Sequence, residues 1–227
     1  MKIAVLGTGM VGQIIAAKLA DIGHSVVMGT RDPAKTLSRK EEGTPNAAHI
    51  TDWMKSHAAI PVVRYAEAAQ HGEIVILAVN GAGALSTLTL AGAQHLAGKT
   101  VMDITNPLDF SKGMPPSLFV CNTDSLGEEL QKAFPEARIV KTLNTVRADL
   151  MVDPAKLTGE AITMFVCGND AGAKTAVTSY LKTWFGWKDV IDLGDITSAR
   201  GTEMLLPIWL RIWGVLQSAD FAFRIVR

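Results

Sequence analysis

A turn of six residues near the N-terminus has the spacing of a phosphate-binding loop, G-x-G-x-x-G. Its members are Gly7, Thr8, Gly9, Met10, Val11 and Gly12. In such a turn the first glycine permits a tight bend, the second lets a pyrophosphate approach the backbone, and the third lets the following helix pack on the strand. The turn follows an apolar run at residues 2–6 and opens a helical pattern, which is the context that supports dinucleotide binding. The alternative is an ordinary strand-to-helix turn.

The residues after the second predicted strand indicate which dinucleotide binds. NAD sites place an acidic residue there for the ribose hydroxyls, but this chain has Arg31 at about that position. A guanidinium can hold a 2′-phosphate with two hydrogen bonds, while Thr30 adds a hydroxyl and Lys35 a second cation. The pattern therefore favours NADP(H) over NAD(H). In the alternative interpretation Arg31 is solvated and Asp32, one position late, contacts the ribose.

Three loops follow the fourth, fifth and sixth predicted strands, at the edge where a doubly wound sheet binds its ligand. Their candidate residues around the nicotinamide are Ala78, Val79, Asn80, Asn106, Pro107 and Asn144. The two carboxamides at 106 and 144 could hold the nicotinamide amide or a carbonyl substrate. The alternative is structural, with a turn at residues 106–107 and a helix cap at Asn144.

No general acid or base stands out in the sequence, so we assign no catalytic residue. We expect a surface role for each of the five histidines, since His49, His57 and His71 fall in segments remote from the predicted ligand edge, His24 lies in a turn and His95 ends a helix. The two cysteines have no metal-binding spacing. Reduction of a ketone or imine usually requires a positioned proton donor. Hydride exchange between two redox cofactors requires mainly that the two rings lie together.

The periodicity predicts alternating strands and helices, and hence an α/β fold with a Rossmann doubly wound parallel sheet and a small C-terminal α+β region. Strands are expected at residues 2–6, 25–28, 62–63, 73–79, 100–105, 138–141, 161–167 and 190–193. Helices are expected at residues 10–19, 66–71, 82–96, 125–134 and 171–184 and from 198 onward. We place an NADP-binding Rossmann domain at 1–146 and a small C-terminal domain with an apolar helix at 147–227.

The last helix is apolar nearly all round over residues 204–216, which indicates burial on more than one side. Trp209 and Trp213 are four residues apart and share a face, as interface anchors often do. The pattern favours a homodimer. The alternative is a helix of the protein's own core, kinked at Pro207.

The composition limits the partners of this 227-residue chain. Formal net charge is zero and no basic stripe is present, which argues against nucleic-acid binding. The apolar run at 204–216 is too short to span a bilayer and is interrupted by Pro207 and Arg211. Cys121 and Cys167 lie in unrelated segments, so we expect reduced thiols, no metal site and a cytoplasmic protein.

The glycine turn and the segments 29–32, 103–108, 141–145 and 199–200 together resemble the deazaflavin-dependent NADP oxidoreductases. The resemblance covers nearly the whole chain and implies hydride transfer between NADP(H) and coenzyme F-420, a deazaflavin. It implies that the NADP phosphates are held by Thr8, Thr30, Arg31 and Lys35. It implies that the nicotinamide is bordered by Val79, Asn106, Pro107 and Asn144.

The redox acceptor is the open part of the prediction. The family usually has proline where this chain has Asn80, and similar domains use flavins. A deazaflavin has an acidic tail, for which Arg147, Arg200 and Arg211 are candidate partners. The alternative functions are an NADPH-dependent reductase of a small imine or carbonyl, or a non-enzymatic NADP sensor.

Overall fold

A computed structural model describes residues 1–38, 49–157 and 161–227. The strands are β1 (Lys2–Leu6), β2 (Ser25–Thr30), β3 (Val62–Arg64), β4 (Ile74–Leu77), β5 (Thr100–Asp103), β6 (Leu108–Asp109), β7 (Ser117–Leu118), β8 (Arg138–Thr142), β9 (Thr163–Cys167) and β10 (Asp189–Asp192). The helices are α1 (Met10–Asp21), α2 (Pro33–Leu37), α3 (Ile50–Ser56), α4 (Tyr65–His71), α5 (Ala84–Ala91), α6 (Ala93–Leu96), α7 (Leu126–Ala133), α8 (Ala148–Val152), α9 (Ala171–Phe185) and α10 (Ala199–Leu216).

Eight strands form one sheet in the order β10-β9-β8-β5-β4-β1-β2-β3. From β3 to β8 every pairing is parallel, and the order matches that of a doubly wound dinucleotide-binding sheet. This confirms the predicted α/β Rossmann fold. Between β1 and β4 the chain reverses its direction of winding, which makes this the point where such sheets bind ligands.

The sheet continues across the predicted domain boundary at residue 146. Strand β9 pairs antiparallel with β8, through Thr142 and Val166, and β10 pairs parallel with β9. The C-terminal strands therefore extend the Rossmann sheet instead of forming a sheet of their own. The division into domains at 1–146 and 147–227 stays a prediction.

The core lies on both faces of the sheet, as the uninterrupted apolar runs predict for a parallel sheet. Along β1, Ile3 and Val5 contact one buried cluster, while Ala4 and Leu6 contact the other. This alternation follows from the two-residue period of a strand. Helices α1, α8 and α9 cover the first face, and α4, α5 and α7 cover the second.

Three elements differ from the prediction. The helix expected at 82–96 is a 3-10 turn (Gly81–Gly83) followed by α5 and α6. Gly92 separates α5 from α6, because its φ of 88° is a backbone conformation that glycine adopts readily and that cannot continue a helix. The small antiparallel pair β6–β7 and the short helix α8 were not predicted. Both are too short to produce a clear periodic pattern.

Helix α10 is buried only in its first half. Glu203 and Leu206 are buried, whereas Trp213 is 40% exposed and Val215 is 82% exposed. Within a single chain the second half of α10 is therefore largely exposed, with Trp209 half-buried against Phe221. Burial of this half on more than one side stays a prediction. Across the described ranges, no helix combines the length and apolar character needed to cross a membrane.

Candidate active site

The glycine turn joins β1 to α1 at the carboxyl edge of the sheet. Gly7 has φ 125° and donates its N–H to the carbonyl of Gly29 at 2.9 Å. A Cβ atom on Gly7 would lie 2.2 Å from the carbonyl oxygen of Ala78, and one on Gly12 would lie 2.2 Å from that of Gly7. Both positions therefore require glycine, because the backbones approach too closely for any side chain.

The N-terminus of α1 faces open space. Gly9 is the N-cap, no described side chain caps the helix, and its first turn contains no acidic residue. A Cβ atom on Gly9 would meet nothing within 4 Å. Unpaired amides at a helix N-terminus suit a phosphate group, so this part of the chain fits a pyrophosphate. Thr8, Met10 and Val11 are half-buried around it.

Gln13 supports this turn and was not identified from the sequence. Its side chain is buried, and its Nε2 donates a hydrogen bond to the Thr8 carbonyl oxygen at 3.0 Å. A glutamine on a helix gives no sequence signal for such a role. The bond fixes the backbone at the second position of the turn.

The end of β2 presents two exposed cations and a buried hydroxyl. Arg31 and Lys35 are exposed, as a phosphate-binding role requires. Thr30 is buried, and its Oγ1 lies 2.8 Å from Oγ1 of Thr36 in α2. This hydrogen bond connects the end of β2 to α2 and so stabilises the loop that contains Arg31. Asp32 accepts a hydrogen bond from the Lys35 amide at 3.0 Å and caps α2, which gives it a structural role.

Arg64 is a third exposed cation at this edge. Strands β2 and β3 pair in parallel with Thr30 opposite Arg64, so the last residues of both strands lie side by side. The sequence alone did not identify Arg64 as a candidate, because the register of β2 and β3 decides which residue of β3 lies opposite Thr30. Arg64 joins Arg31 and Lys35 as a candidate partner of a phosphate.

The loops after β4 and β5 contact each other. Ala78 is buried, Val79 is half-buried, and Asn80 is exposed with its Oδ1 accepting a hydrogen bond from the Ala82 amide at 3.0 Å. A Cβ atom on Gly81 would lie only 2.0 Å from the carbonyl oxygen of Asn106. Because Gly81 has no side chain, the loops after β4 and β5 can contact each other next to the Gly7–Gly12 turn.

Asn106 and Asn144 form a reciprocal pair. Nδ2 of Asn106 donates to the carbonyl oxygen of Asn144 at 2.8 Å, and Nδ2 of Asn144 donates to Oδ1 of Asn106 at 2.9 Å. Pro107, the residue after Asn106, is buried, and Leu143, also buried, has φ 60°. A left-handed leucine is strained and occurs where the surrounding structure demands it. The candidate residues after β4, β5 and β8 thus line one continuous edge.

The candidate partners of an acidic acceptor tail do not converge. Arg200 makes a two-point ion pair with Glu128, with Nε 2.8 Å from Oε2, and these hydrogen bonds hold the pKa of Glu128 below its usual value. Arg147 pairs with Asp149 and Asp220. Arg211 is exposed in the second half of α10. Two of the three cations are therefore already neutralised by carboxylates.

A cleft of about 540 Å³ lies between α7 and the start of α10. Its charged lining residues are Asp124, Glu128, Glu129, Lys132 and Arg200. It contains none of the residues predicted to bind the dinucleotide, and its acids outnumber its cations. The cleft is therefore poorly suited to an anionic acceptor.

The histidines lie away from the candidate site. His24 precedes β2, and Nε2 of His71 is 3.3 Å from Oγ of Ser25 at the start of β2, so both are at the amino edge of the sheet. His95 lies in α6, which leads into the start of β5. His49 and His57 flank α3. None of the five adjoins the asparagine pair in the described structure.

Comparison with known proteins places this geometry in a family. The family model described as NADP oxidoreductase coenzyme F420-dependent matches residues 2–107. The F420-dependent NADP reductase of Methanothermobacter marburgensis is 28% identical over 216 residues, covering 93% of this chain and 92% of that protein. The metalloreductase STEAP3 of Rattus norvegicus is also 28% identical, over 92% of this chain, but the chain spans only 38% of its length.

A solved structure gives the strongest match of these. It is a candidate F420-dependent NADP-reductase from Arthrobacter sp. FB24, 54% identical to this chain, with a TM-score of 0.95 and coverage of 100% of both chains. The similarity extends through α10 and beyond the region that the family model matches. The chain therefore belongs to the coenzyme F420-dependent NADP oxidoreductase family.

Proposed function

We propose that this chain transfers hydride between NADP(H) and a deazaflavin (coenzyme F-420) or flavin-like acceptor. The observation that carries the proposal is the composition of the edge predicted to border the nicotinamide. Its six residues are apolar or carboxamide-bearing, and none is an acid or a base. Such an edge suits two rings that exchange hydride directly, because that reaction depends mainly on their relative position.

Each part of the edge has a role in binding the dinucleotide. The amides of Gly9, Met10 and Val11 at the start of α1 receive the pyrophosphate. Arg31 and Lys35 hold the 2′-phosphate, with the buried Thr30 and Thr36 hydroxyls keeping their loop in place.

At the other end of the site, the Asn106–Asn144 pair orients the nicotinamide half. Each carboxamide keeps hydrogen-bonding capacity beyond the bond that it makes to the other, so the pair can also bind the nicotinamide amide. When bound, NADPH supplies a hydride from C4 of its nicotinamide. The chain's contribution is to hold that ring at the sheet edge with one face open to the acceptor.

A direct assay tests the proposal. Protein, NADPH and oxidised coenzyme F-420 are mixed, and the fall in NADPH absorbance is followed together with the loss of the oxidised deazaflavin chromophore. We expect one equivalent of deazaflavin reduced, with uptake of one proton, for each NADPH oxidised. FMN and FAD are tested in parallel. Turnover with neither acceptor class, at full binding of NADPH, would contradict the proposal.

We also propose that the chain forms a homodimer through the second half of α10. Its large exposed apolar residues include Ile208, Trp213, Val215 and Leu216, all on one continuous helix. A two-fold dimer would bury this patch on both copies at once. Trp209, packed against Phe221 at a centroid distance of 5.0 Å, anchors the inner side of the same helix.

Trp213→Glu is expected to convert the dimer to a monomer, because a charge at the centre of an apolar interface loses its hydration without gaining a partner. Light scattering coupled to gel filtration measures the mass. Leu90→Glu is the matched control, since Leu90 is 48% exposed on α5, and it should leave the mass unchanged. A wild-type protein with the mass of one chain at micromolar concentration would refute the dimer.

A further inference from the structure

Lys141 is the penultimate residue of β8 and is fully buried beneath the candidate nicotinamide edge. Its Nζ is 2.7 Å from Oδ2 of Asp103, 2.7 Å from Oε1 of Glu203 and 2.9 Å from the carbonyl oxygen of Thr105. An ammonium group has three N–H donors, and here three oxygen atoms surround it. We call Lys141, Asp103 and Glu203 the buried charge cluster.

The ammonium group of Lys141 is held in its charged form. Burial alone would lower the pKa of Lys141, but attraction to Asp103 and Glu203 outweighs that effect and the pKa lies above its usual value. Burial raises the pKa of Glu203, and its carboxylate accepts hydrogen bonds from the amides of Leu126 and Gly127, at 2.9 and 3.0 Å, at the N-terminus of α7. A buried ion pair with this many hydrogen bonds is costly to disrupt, because a removed partner leaves an uncompensated charge.

The cluster fixes the backbone at the site. Oδ1 of Asp103 accepts hydrogen bonds from the Thr105 amide at 2.9 Å and from the Thr105 hydroxyl at 2.6 Å, while Lys141 binds the Thr105 carbonyl. Both backbone polar groups of Thr105 are therefore held. The next residue, Asn106, is one half of the asparagine pair. The other half, Asn144, lies three residues after Lys141 on the same strand and loop.

The cluster also ties α10 to the site. Glu203 lies on α10 and contacts both Lys141 and the start of α7. A Cβ atom on Gly127 would lie 2.9 Å from Cβ of Ala199 and 3.3 Å from Cε of Lys141. The glycine lets α7 pack directly against α10 and the lysine stem. Three segments distant in sequence thus meet at one ammonium group.

We propose that Lys141 is a positioning residue for the nicotinamide half of the cofactor. By holding Thr105 between Asp103 and its own Nζ, it sets the Asn106–Asn144 pair in the geometry that receives the nicotinamide. The adenosine half, bound some strands away at the ends of β1 and β2, does not depend on it. The inference rests on the proposed assignment of the asparagine pair to the nicotinamide.

Two ligands separate the halves of the site. NADP⁺ carries the nicotinamide, whereas 2′,5′-ADP retains the adenosine and the 2′-phosphate without it. For Lys141→Met we expect the affinity for 2′,5′-ADP to stay within about twofold of wild type. The ratio of the affinity for NADP⁺ to the affinity for 2′,5′-ADP should fall roughly threefold to tenfold, because the hydrogen bonds to the nicotinamide would be misaligned. Calorimetry or fluorescence titration measures both, with no acceptor required.

Lys99→Met is the matched control. Nζ of Lys99 also donates to a backbone carbonyl, that of Ala69 at 2.7 Å, but at the amino edge of the sheet. It should change neither affinity. If Lys141→Met does not fold, the same two affinities are measured for Glu203→Gln. This variant keeps the side-chain volume and a hydrogen-bonding group while it removes one carboxylate beside Lys141.

The outcomes are distinct. A loss confined to NADP⁺ supports the positioning role. An equal loss for both ligands, or no loss for either, overturns it. A wild-type protein that binds 2′,5′-ADP but gains nothing from the nicotinamide also overturns it. Failure of the wild type to bind either ligand would instead contradict the proposed cofactor site.

Discussion

Replacing Arg31 with alanine is expected to weaken NADPH binding roughly 10- to 100-fold, the loss of a charge-assisted hydrogen bond worth about 1.5–3 kcal/mol. NADH binding should barely change, because NADH has no 2′-phosphate. The structure places the Arg31 side chain in solvent at the end of β2, beside the loop held by Thr30 and Thr36. Titration of each reduced nucleotide, followed by its fluorescence, gives both dissociation constants.

Lys188→Ala is a suitable control for Arg31→Ala. Lys188 is exposed just before β10, at the opposite end of the sheet from β2, and its removal changes net charge by the same amount. It should leave the ratio of NADPH to NADH affinity unchanged. Equal losses of both nucleotides in Arg31→Ala would show that Arg31 does not read the 2′-phosphate. Arg64→Ala then tests the neighbouring cation found through the register of β2 and β3.

Gly7→Ala is expected to have the largest effect on folding. The new Cβ would lie 2.2 Å from the carbonyl oxygen of Ala78, and the backbone has φ 125°, which an alanine adopts only with strain. Overpacking costs about 1–3 kcal/mol and backbone strain of this kind a similar amount, so the free energy of unfolding should fall by about 3 kcal/mol or more. The urea midpoint, read by far-ultraviolet circular dichroism, measures the change.

Gly9→Ala separates the folding and binding roles of the turn. Its Cβ would meet no protein atom within 4 Å, and its φ of −77° suits alanine. Stability should therefore change little, whereas NADPH affinity should fall because the methyl group occupies the space in front of the α1 amides. For Gly7→Ala, a free energy of unfolding equal to that of the wild type would contradict the prediction, because it would mean that the β1–α1 turn can move away from Ala78 without loss of stability.

Local patterns predicted the parallel part of the fold. The apolar runs that form β1, β4 and β5 are buried on both faces, and periodicity identifies such runs well when they are bounded by glycine or polar residues. The edge residues followed from the same reasoning, because parallel strands bring their carboxyl ends together. Thus Asn106 and Asn144, 38 residues apart, could be expected near each other before their hydrogen bonds were known.

Other features depended on contacts between distant segments. Thr30 was expected to offer its hydroxyl to a phosphate, but it is buried against Thr36. Arg147 and Arg200 were candidate partners of an acceptor, but Asp149, Asp220 and Glu128 neutralise them. In each case the residue type was compatible with binding a ligand. The side chain is instead engaged by another residue of the protein, and the periodic pattern of apolar residues does not predict such a pairing.

The sequence by itself determined that a dinucleotide turn opens a Rossmann sheet, and it marked Arg31 and Lys35 as the basis for preferring NADP(H). Those conclusions rest on steric rules within a few residues, such as the need for glycine at positions 7 and 12. Only the tertiary structure showed that Lys141, Asp103 and Glu203 form one buried cluster beneath the asparagine pair. A buried charge is defined by the partners that replace its water, and those partners come from β5, β8 and α10.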